Sequence, residues 1–275
     1  MPQPLEQRVH TIAQRVEDVW RSRFSGAPVD LPVSAIAALT LVRGSDPRGA
    51  REAFLDLPSE QAAHVLRLLW SGFGRARPDL VYRALPLARW THGTAEQEQQ
   101  ATLVAVARAA VQAGFFDLTM NAQVRTSVDV FGPLLMALRP KAARERNGQF
   151  YTPADVAEIL ARGSGTPQPG EQIFESSVGT GGLILAFAEQ IRAHGRDPAD
   201  SHWELVDIDP VAVACLAVNV HLWGLGPRVL IGCGDGLADD WRPRALYERD
   251  LGIRIQRSQP LYRMATALDR YASAA

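Results

Sequence analysis

Two residue types are scarce in this sequence of 275 residues: cysteine and lysine. The two cysteines, Cys215 and Cys233, have no metal-ligand spacing, so we predict no metal site and two buried thiols in a reducing compartment. Lys141 is the only lysine, and every other basic residue is an arginine. Selection for phosphate recognition would produce this bias, and so would a genome-wide arginine and alanine bias.

Long apolar runs and a strong net charge are also missing. No run approaches the length of a membrane span, and the first residues do not have the pattern of a signal peptide, so we predict a cytoplasmic protein without a membrane partner. The net charge of −1 excludes a global basic field. However, residues 1–150 carry 18 Lys and Arg against 14 Asp and Glu, which makes this half the likelier one to meet a polyanion.

The N-terminal part has the periodicity of helices. Val9, Ile12 and Val16 recur at three- and four-residue steps, which predicts an amphipathic helix over about residues 4–23. Similar segments separated by Gly, Pro and Ser follow, so we expect residues 1–140 to form a helical domain with short connections. Its tryptophans are either core residues or a base-stacking surface; these are Trp20, Trp70 and Trp90.

Between the two parts lies a basic stretch that leads into a helix start. Residues 139–148 contain four bases, which suit either a solvated linker or a loop that contacts phosphate or covers a cofactor. Thr152-Pro153 predicts a helix with Thr152 as its N-cap. Phe150 and Tyr151 precede that start, where aromatic rings lie on a flat ligand or pack as a staple.

Residues 141–275 have the pattern of an α/β domain. A short apolar strand ends near Phe174, Gly179-Thr-Gly-Gly182 follows it, and an apolar helix comes next. This order opens a nucleotide- or nucleoside-binding unit, in which glycines let the backbone approach a ligand. A second strand ends at Asp207 and a third precedes Asp235. A carboxylate at the position of Asp207 can accept both ribose hydroxyls, and Asp235 can accept from the exocyclic amine of adenine.

These motifs together resemble one family. Gly148-Gln-Phe-Tyr-Thr-Pro153, Gly179-Thr-Gly-Gly182, Asp207-Ile-Asp-Pro210 and Gly234-Asp-Gly236 are similar to the modification subunit of type I restriction–modification systems. That family comprises adenine-N6 DNA methyltransferases that use S-adenosylmethionine and carry an N-terminal helical domain. The resemblance covers about residues 125–260. It implies a Rossmann-like methyltransferase fold with S-adenosylmethionine as the cofactor and DNA as a partner.

The resemblance also implies roles for individual residues. Phe150, Tyr151, Thr152 and Pro153 would flank the cofactor, Glu175 and the glycine turn would hold its methionine end, Asp207 would hold the ribose and Asp235 the adenine. The full set of expected cofactor-binding residues is Phe150, Tyr151, Thr152, Pro153, Glu175, Gly179, Thr180, Gly181, Gly182, Asp207, Ile208, Asp235 and Gly236.

The catalytic motif of the family, Asn-Pro-Pro-Tyr or Asn-Pro-Pro-Phe after the fourth strand, does not occur in this sequence. Its nearest counterpart is Gln259-Pro-Leu-Tyr262, which follows a possible strand over residues 252–256. Gln259, Pro260 and Tyr262 are therefore the candidate catalytic residues, with Gln259 in the place of Asn and Tyr262 stacking on a flipped base. Only 13 residues follow Tyr262, so we expect a truncated domain whose last strand has an open edge.

The fold class expected from these observations is α/β: an N-terminal helical domain, 1–140, followed by a truncated Rossmann-like S-adenosylmethionine-dependent methyltransferase domain, 141–275. The expected function is adenine-N6 DNA methylation of the restriction–modification type. A homodimer mate or a specificity or companion subunit would cover the open sheet edge. Two alternatives stay open at this point: a catalytically inactive cofactor-sensing or DNA-associated regulatory module, and a small-molecule methyltransferase.

Overall fold

The computed structural model describes residues 4–23, 28–91, 97–141 and 152–272, with side chains described through Ser258. Helices dominate the N-terminal part, and a small parallel sheet with its own helices follows. The N-terminal helices are α1 (Leu5–Arg23), α2 (Asp30–Thr40), α3 (Pro47–Asp56), α4 (Ser59–Ala76), α5 (Val81–Ala88), α6 (Gln97–Gln112), α7 (Phe115–Thr119), α8 (Ala122–Arg125) and α9 (Phe131–Leu138). The later elements are α10 (Ala154–Ser164), β1 (Gln172–Glu175), α11 (Gly182–Ala193), β2 (His202–Asp207), α12 (Pro210–Leu222), β3 (Val229–Cys233) and α13 (Trp241–Ala272). Short 3₁₀ turns lie at Arg89–Thr91 and Pro198–Asp200.

The helix α1 shows why the N-terminal part folds as a bundle. The residues predicted to form its apolar stripe, including Val9, Ile12 and Val16, are buried, and charged side chains occupy the other face. The helix packs on α6 and α9. Trp20 and Trp70 are buried, and the indole N–H groups of Trp70 and Trp90 both donate to Ser34 Oγ, at 3.0 and 2.7 Å. These bonds favour the core interpretation of Trp70 and Trp90.

The three strands are parallel and lie in the order β1-β2-β3. Pairing begins with Gln172 opposite His202 and with Trp203 opposite Val229. Helix α11 connects β1 to β2, and α12 connects β2 to β3, which gives two successive βαβ units. The strands, turns and helices that the sequence predicted over residues 171–231 are thus confirmed, to within a few residues at each end.

The core is continuous across the two parts of the chain. Leu205 and Ile231 on one face of the sheet belong to the same buried cluster as the N-terminal helices. Helix α12 is buried on nearly all sides because it lies between the sheet and α5. Its residues are apolar around the whole circumference, as such a position requires.

The opposite face of the sheet is covered by α13. Val206 and Leu230 form a second, smaller cluster with Trp241 and Ala245 from the first turns of that helix. Phe174 of β1 stacks on Trp241 with a centroid distance of 5.9 Å and an interplanar angle of 15°. The guanidinium of Arg242 donates to both carboxylate oxygens of Glu204 on the same face.

Two local predictions are wrong. Residues 252–256 are helical within α13 and do not form a strand, so no fourth strand is present in the described ranges. The alternation of Ile253 and Ile255 with polar residues is strand-like, but Trp241 and Ala245 anchor a helix that continues through this segment. Thr152 is not the N-cap of α10; Pro153 occupies that position, without a side-chain capping bond. None of the helices in the described ranges is both long enough and apolar enough to cross a membrane.

Candidate functional site

The carboxyl ends of the three strands meet at one cleft of about 670 Å³. Parallel strands place the loops that follow them at the same edge of the sheet, which is where α/β folds bind ligands. The cleft wall includes Glu175 and Asp207, which are the last residues of β1 and β2, and Asp235 in the loop after β3. The volume lies in the range of small-molecule sites.

Backbone hydrogen bonds attach the glycine turn to the end of β2. The N–H of Gly179 donates to Asp207 Oδ2 over 2.7 Å, and the N–H of Val178 donates to the carbonyl of Val206 over 3.0 Å. Gly179 has a φ of +56°, and a Cβ built on it meets no atom within 4 Å. The turn therefore presents bare backbone at the cleft wall, with free space beside it.

The second oxygen of Asp207 is also held. Asp207 Oδ1 accepts from the N–H of Asp209 over 2.8 Å. Asp209 in turn caps α12 through Val211 N at 3.0 Å and forms an ion pair with Arg139 at 2.5 Å. These contacts fix the Asp207 carboxylate at the centre of the cleft while each of its oxygens keeps capacity for a further hydrogen bond.

The loop after β3 is also fixed by short contacts, both within itself and with the loop after β1. Asp235 Oδ1 accepts from the N–H of Leu237 over 2.9 Å, which closes the turn after β3. A Cβ on Gly236 would lie 2.5 Å from the carbonyl oxygen of Ser176, so only glycine fits where this turn crosses the loop after β1. Ile208 and Leu237, which are 74% and 88% exposed, also line the cleft. They offer apolar contact to a flat ring.

Glu175 also lines the cleft, and hydrogen bonds to Ser177 fix its carboxylate. Its Oε1 accepts from both the N–H and the hydroxyl of Ser177, at 3.1 and 3.2 Å. Ser177, in the loop between β1 and the glycine turn, thereby orients the carboxylate of Glu175, and both Glu175 and Gly179 line the cleft.

The sequence did not predict the buried polar network that lies behind the glycine turn. Asp129 is 6% exposed and accepts from the hydroxyl of Thr180 over 2.7 Å and from the side-chain amide of Asn219 over 3.1 Å. It also accepts from the N–H groups of Phe131 and Gly132. Burial raises the pKa of Asp129, and these hydrogen bonds oppose that shift. In the sequence, Asp129 stands two residues before the apolar helix α9. That position predicts a helix cap, but it does not predict the contacts with Thr180 and Asn219.

The structure brings together nine of the thirteen expected cofactor-binding residues. The nine that line the cleft are Thr152, Glu175, Gly179, Thr180, Gly182, Asp207, Ile208, Asp235 and Gly236. Gly181 instead faces inward, where a Cβ would lie 2.7 Å from Leu216 and 2.9 Å from Trp223. Pro153 lies on a neighbouring cavity of about 1280 Å³, which shares Thr152 and Gly182 with the cleft.

The remaining predicted residues do not reach the cleft or are not described. Phe150 and Tyr151 lie outside the described residues. The candidate catalytic positions Gln259, Pro260 and Tyr262 lie within α13, whose side chains are not described beyond Ser258. They therefore lie within a helix, whereas the sequence had predicted that they follow a fourth strand.

Comparison with known proteins locates the match on this part of the chain. Residues 127–251 match the family model described as N-6 DNA Methylase. These residues are therefore similar to the N-6 DNA methylase family, and the match covers a little less than half of the chain. The matched segment contains the three strands, the glycine turn and the buried Asp129 network.

Two solved structures are similar to the chain. One is the methyltransferase subunit of a type I restriction-modification system from Streptococcus thermophilus, with 16% identity, a TM-score of 0.49 and coverage of 87% of this chain and 60% of the subunit. The other is described as a proposed class I S-adenosylmethionine-dependent methyltransferase from Listeria monocytogenes, with 13% identity, a TM-score of 0.38 and coverage of 85% and 55%. The chain thus spans less than two thirds of the length of either protein. No curated protein matches it.

Proposed function

We propose that the cleft binds S-adenosylmethionine and that the chain serves adenine-N6 methylation of DNA. The observation that carries the proposal is the meeting of Glu175, Asp207 and Asp235 around one cleft whose glycine turn is bonded to Asp207. The family of residues 127–251 supplies the reaction class. When bound, the cofactor supplies a methyl group on a sulfonium, which is electrophilic.

The residues of the cleft suit this ligand. Asp207 has spare acceptor capacity for ribose hydroxyls, and Asp235 can accept from the adenine amine. Ile208 and Leu237 provide apolar area on which adenine can lie. Glu175 and the bare backbone at Gly179 suit the charged and crowded methionine end, because a carboxylate attracts its ammonium and sulfonium and the glycine admits close approach.

We further propose that the protein acts as a modification subunit of the type I restriction–modification kind, with DNA and companion subunits as its partners. This part rests on the Gln-Phe-Tyr-Thr-Pro run at residues 149–153 and on the family of residues 127–251. A partner could extend the sheet, because within the described ranges no strand pairs with the outer edge of β1 or of β3. We also propose that the protein is located in the cytoplasm.

A second candidate function is a cofactor-binding module without catalysis. One observation favours it: Gln259, Pro260 and Tyr262 lie in a helix, whereas presentation of a base requires a loop at the end of a strand. Transfer of a labelled methyl group to unmethylated DNA separates the two functions. Transfer that Tyr262→Ala abolishes would support catalysis at this position, and cofactor binding without transfer would support the module.

Calorimetry with S-adenosylmethionine tests the cleft. Glu175→Ala removes a carboxylate that binds a backbone N–H two residues ahead, and we expect at least a tenfold loss of affinity. Glu171→Ala is a matched control, since Glu171 accepts from the N–H of Gln168 at the other end of β1 and does not line the cleft. Equal affinities of the two variants, or no binding by the unaltered protein, would remove the proposal.

A further inference from the structure

Three arginines lie near one histidine where several helices end. Arg43 follows α2, Arg77 caps the end of α4, Arg125 ends α8, and His221 lies in the last turn of α12. We name these four residues the arginine corner; none of them lines the cleft. Arg43 Nη2 lies 3.4 Å from His221 Nε2. Burial first, and then the three guanidiniums, lower the pKa of His221 to about 4, so the ring is neutral at pH 7.

The positive charge of the arginine corner is only partly balanced. Arg77 is paired with Asp79, with Nε–Oδ1 and Nη2–Oδ2 distances of 3.0 and 2.7 Å. Arg43 donates to the carbonyl of Thr40 and Arg125 to that of Thr119, and within the described ranges neither forms an ion pair with a carboxylate. Burial and the neighbouring Arg125 lower the pKa of Arg43 to about 10. Asp79 thus balances Arg77, whereas Arg43 and Arg125 have no carboxylate partner among the described residues.

Capping of helix ends does not use all the hydrogen-bond donors of these arginines. A guanidinium carries five N–H donors, and a carbonyl cap uses one or two of them. Arg43 is exposed, so an anion can approach it from solvent, whereas Arg77, Arg125 and His221 are half-buried. Planar guanidiniums with spare donors match the oxygens of a phosphate.

We propose that the arginine corner binds a backbone phosphate of DNA and so positions the duplex on the helical part of the protein. The choice of DNA over a free phosphate rests on the proposed function, and on the excess of basic residues in positions 1–150 that a polyanion would meet. The contact is independent of base sequence, because phosphate oxygens carry no sequence information.

The test measures binding of a fluorescent, unmethylated DNA duplex by anisotropy, without cofactor, over a series of KCl concentrations. Removing one phosphate contact reduces the slope of log K against log[salt] by about 1. We expect Arg43→Gln with Arg125→Gln to show this reduction and roughly tenfold weaker binding. Arg162→Gln removes an exposed arginine that pairs with Glu158 on α10, and it should leave the slope unchanged.

Further variants and a second ligand distinguish DNA binding at the arginine corner from other roles of these residues. Arg43→Lys with Arg125→Lys keeps the charge and should keep most of the slope, which a merely structural role would not predict. A slope that is equal in the double Gln variant and in Arg162→Gln would overturn the proposal. So would binding of inorganic phosphate, seen as a thermal shift lost in the double Gln variant, without any change in DNA binding. Calorimetry with S-adenosylmethionine on the same variants should show unchanged affinity, so failure here is distinct from failure at the cleft.

Discussion

The hydroxyl of Thr180 donates to Asp129 Oδ2 over 2.7 Å, although 51 positions separate the two residues in the chain. Asn219 joins the same network, since its side-chain amide donates both to Asp129 and to the carbonyl of Thr180. The network connects the start of α9, the glycine turn and α12. The turn at the cleft is therefore held from behind by a residue that does not line the cleft.

Asp129→Ala should destabilise the protein by about 3–5 kcal/mol, because it leaves the Thr180 hydroxyl, the Asn219 amide and two backbone N–H groups buried without an acceptor. Urea denaturation measures this loss. Asp46→Ala is the control, since Asp46 caps α3 through Gly49 N at an exposed site and should cost about 1 kcal/mol. Equal losses in the two variants would contradict the role assigned to Asp129.

Gly179→Ala and Gly195→Ala should separate binding from folding. Both glycines have a positive φ, of +56° and +72°, and a Cβ on either meets no atom within 4 Å. Each substitution should cost about 1–2 kcal/mol of stability because of the left-handed backbone. Only Gly179→Ala places a methyl group at the cleft wall, so only this variant should bind S-adenosylmethionine more weakly in calorimetry. If both variants bound S-adenosylmethionine equally weakly, the effect of Gly179→Ala would be explained by lost stability and not by a methyl group at the cleft wall.

The parts of the fold that the sequence predicted depend on local patterns. The three- and four-residue steps of Val9, Ile12 and Val16 define α1, and Asp209-Pro210 marks the start of α12, where Asp209 does bind the N–H of Val211. Strand, glycine turn and helix follow one another closely enough that the convergence of Asp207 and Asp235 on one cleft could be predicted from topology alone.

The parts that could not be predicted depend on distant contacts. Ile253 and Ile255 alternate with polar residues over too few positions to distinguish a strand from a helix. The packing of Trp241 on the sheet, more than ten residues earlier, decides the outcome. The hydrogen bond between Thr180 and Asp129 could not be predicted either, because nothing near Asp129 in the sequence indicates which donors it binds. Inward packing of Gly181 on Leu216 and Trp223 is likewise a tertiary constraint.

His221 should make stability depend on pH in a defined direction. Its pKa is about 4 in the folded protein against an ordinary value of 6.5, so the folded state excludes a proton that the unfolded state binds. The contribution of His221 is complete above pH 6.5 and is lost as the pH falls towards 4. We expect the free energy of unfolding of the unaltered protein to fall by about 1 kcal/mol more than that of His221→Gln between pH 7.5 and 5, a figure reduced for solvent access. Parallel pH profiles would contradict the burial of a neutral ring.

Trp241→Ala tests whether α13 covers the second face of the sheet. Trp241 is 6% exposed, packs with Val206 and Leu230 and stacks on Phe174, so its loss should cost about 3 kcal/mol and speed hydrogen exchange in β3. Tyr247 lies in the same helix but is 62% exposed, and Tyr247→Ala should change stability by less than about 0.5 kcal/mol. A small effect of both substitutions would show that this face is not closed by the helix.

The central claim, that Asp207 receives the ribose of S-adenosylmethionine, is tested most directly by calorimetry with the cofactor and with its 2′-deoxyribose analogue. The unaltered protein should bind the analogue roughly tenfold more weakly, because a hydrogen bond to a carboxylate is lost. In Asp207→Ala the two ligands should bind with equal, reduced affinity. A preference for the hydroxyl that persists in Asp207→Ala, or the absence of binding to the unaltered protein, would contradict the account.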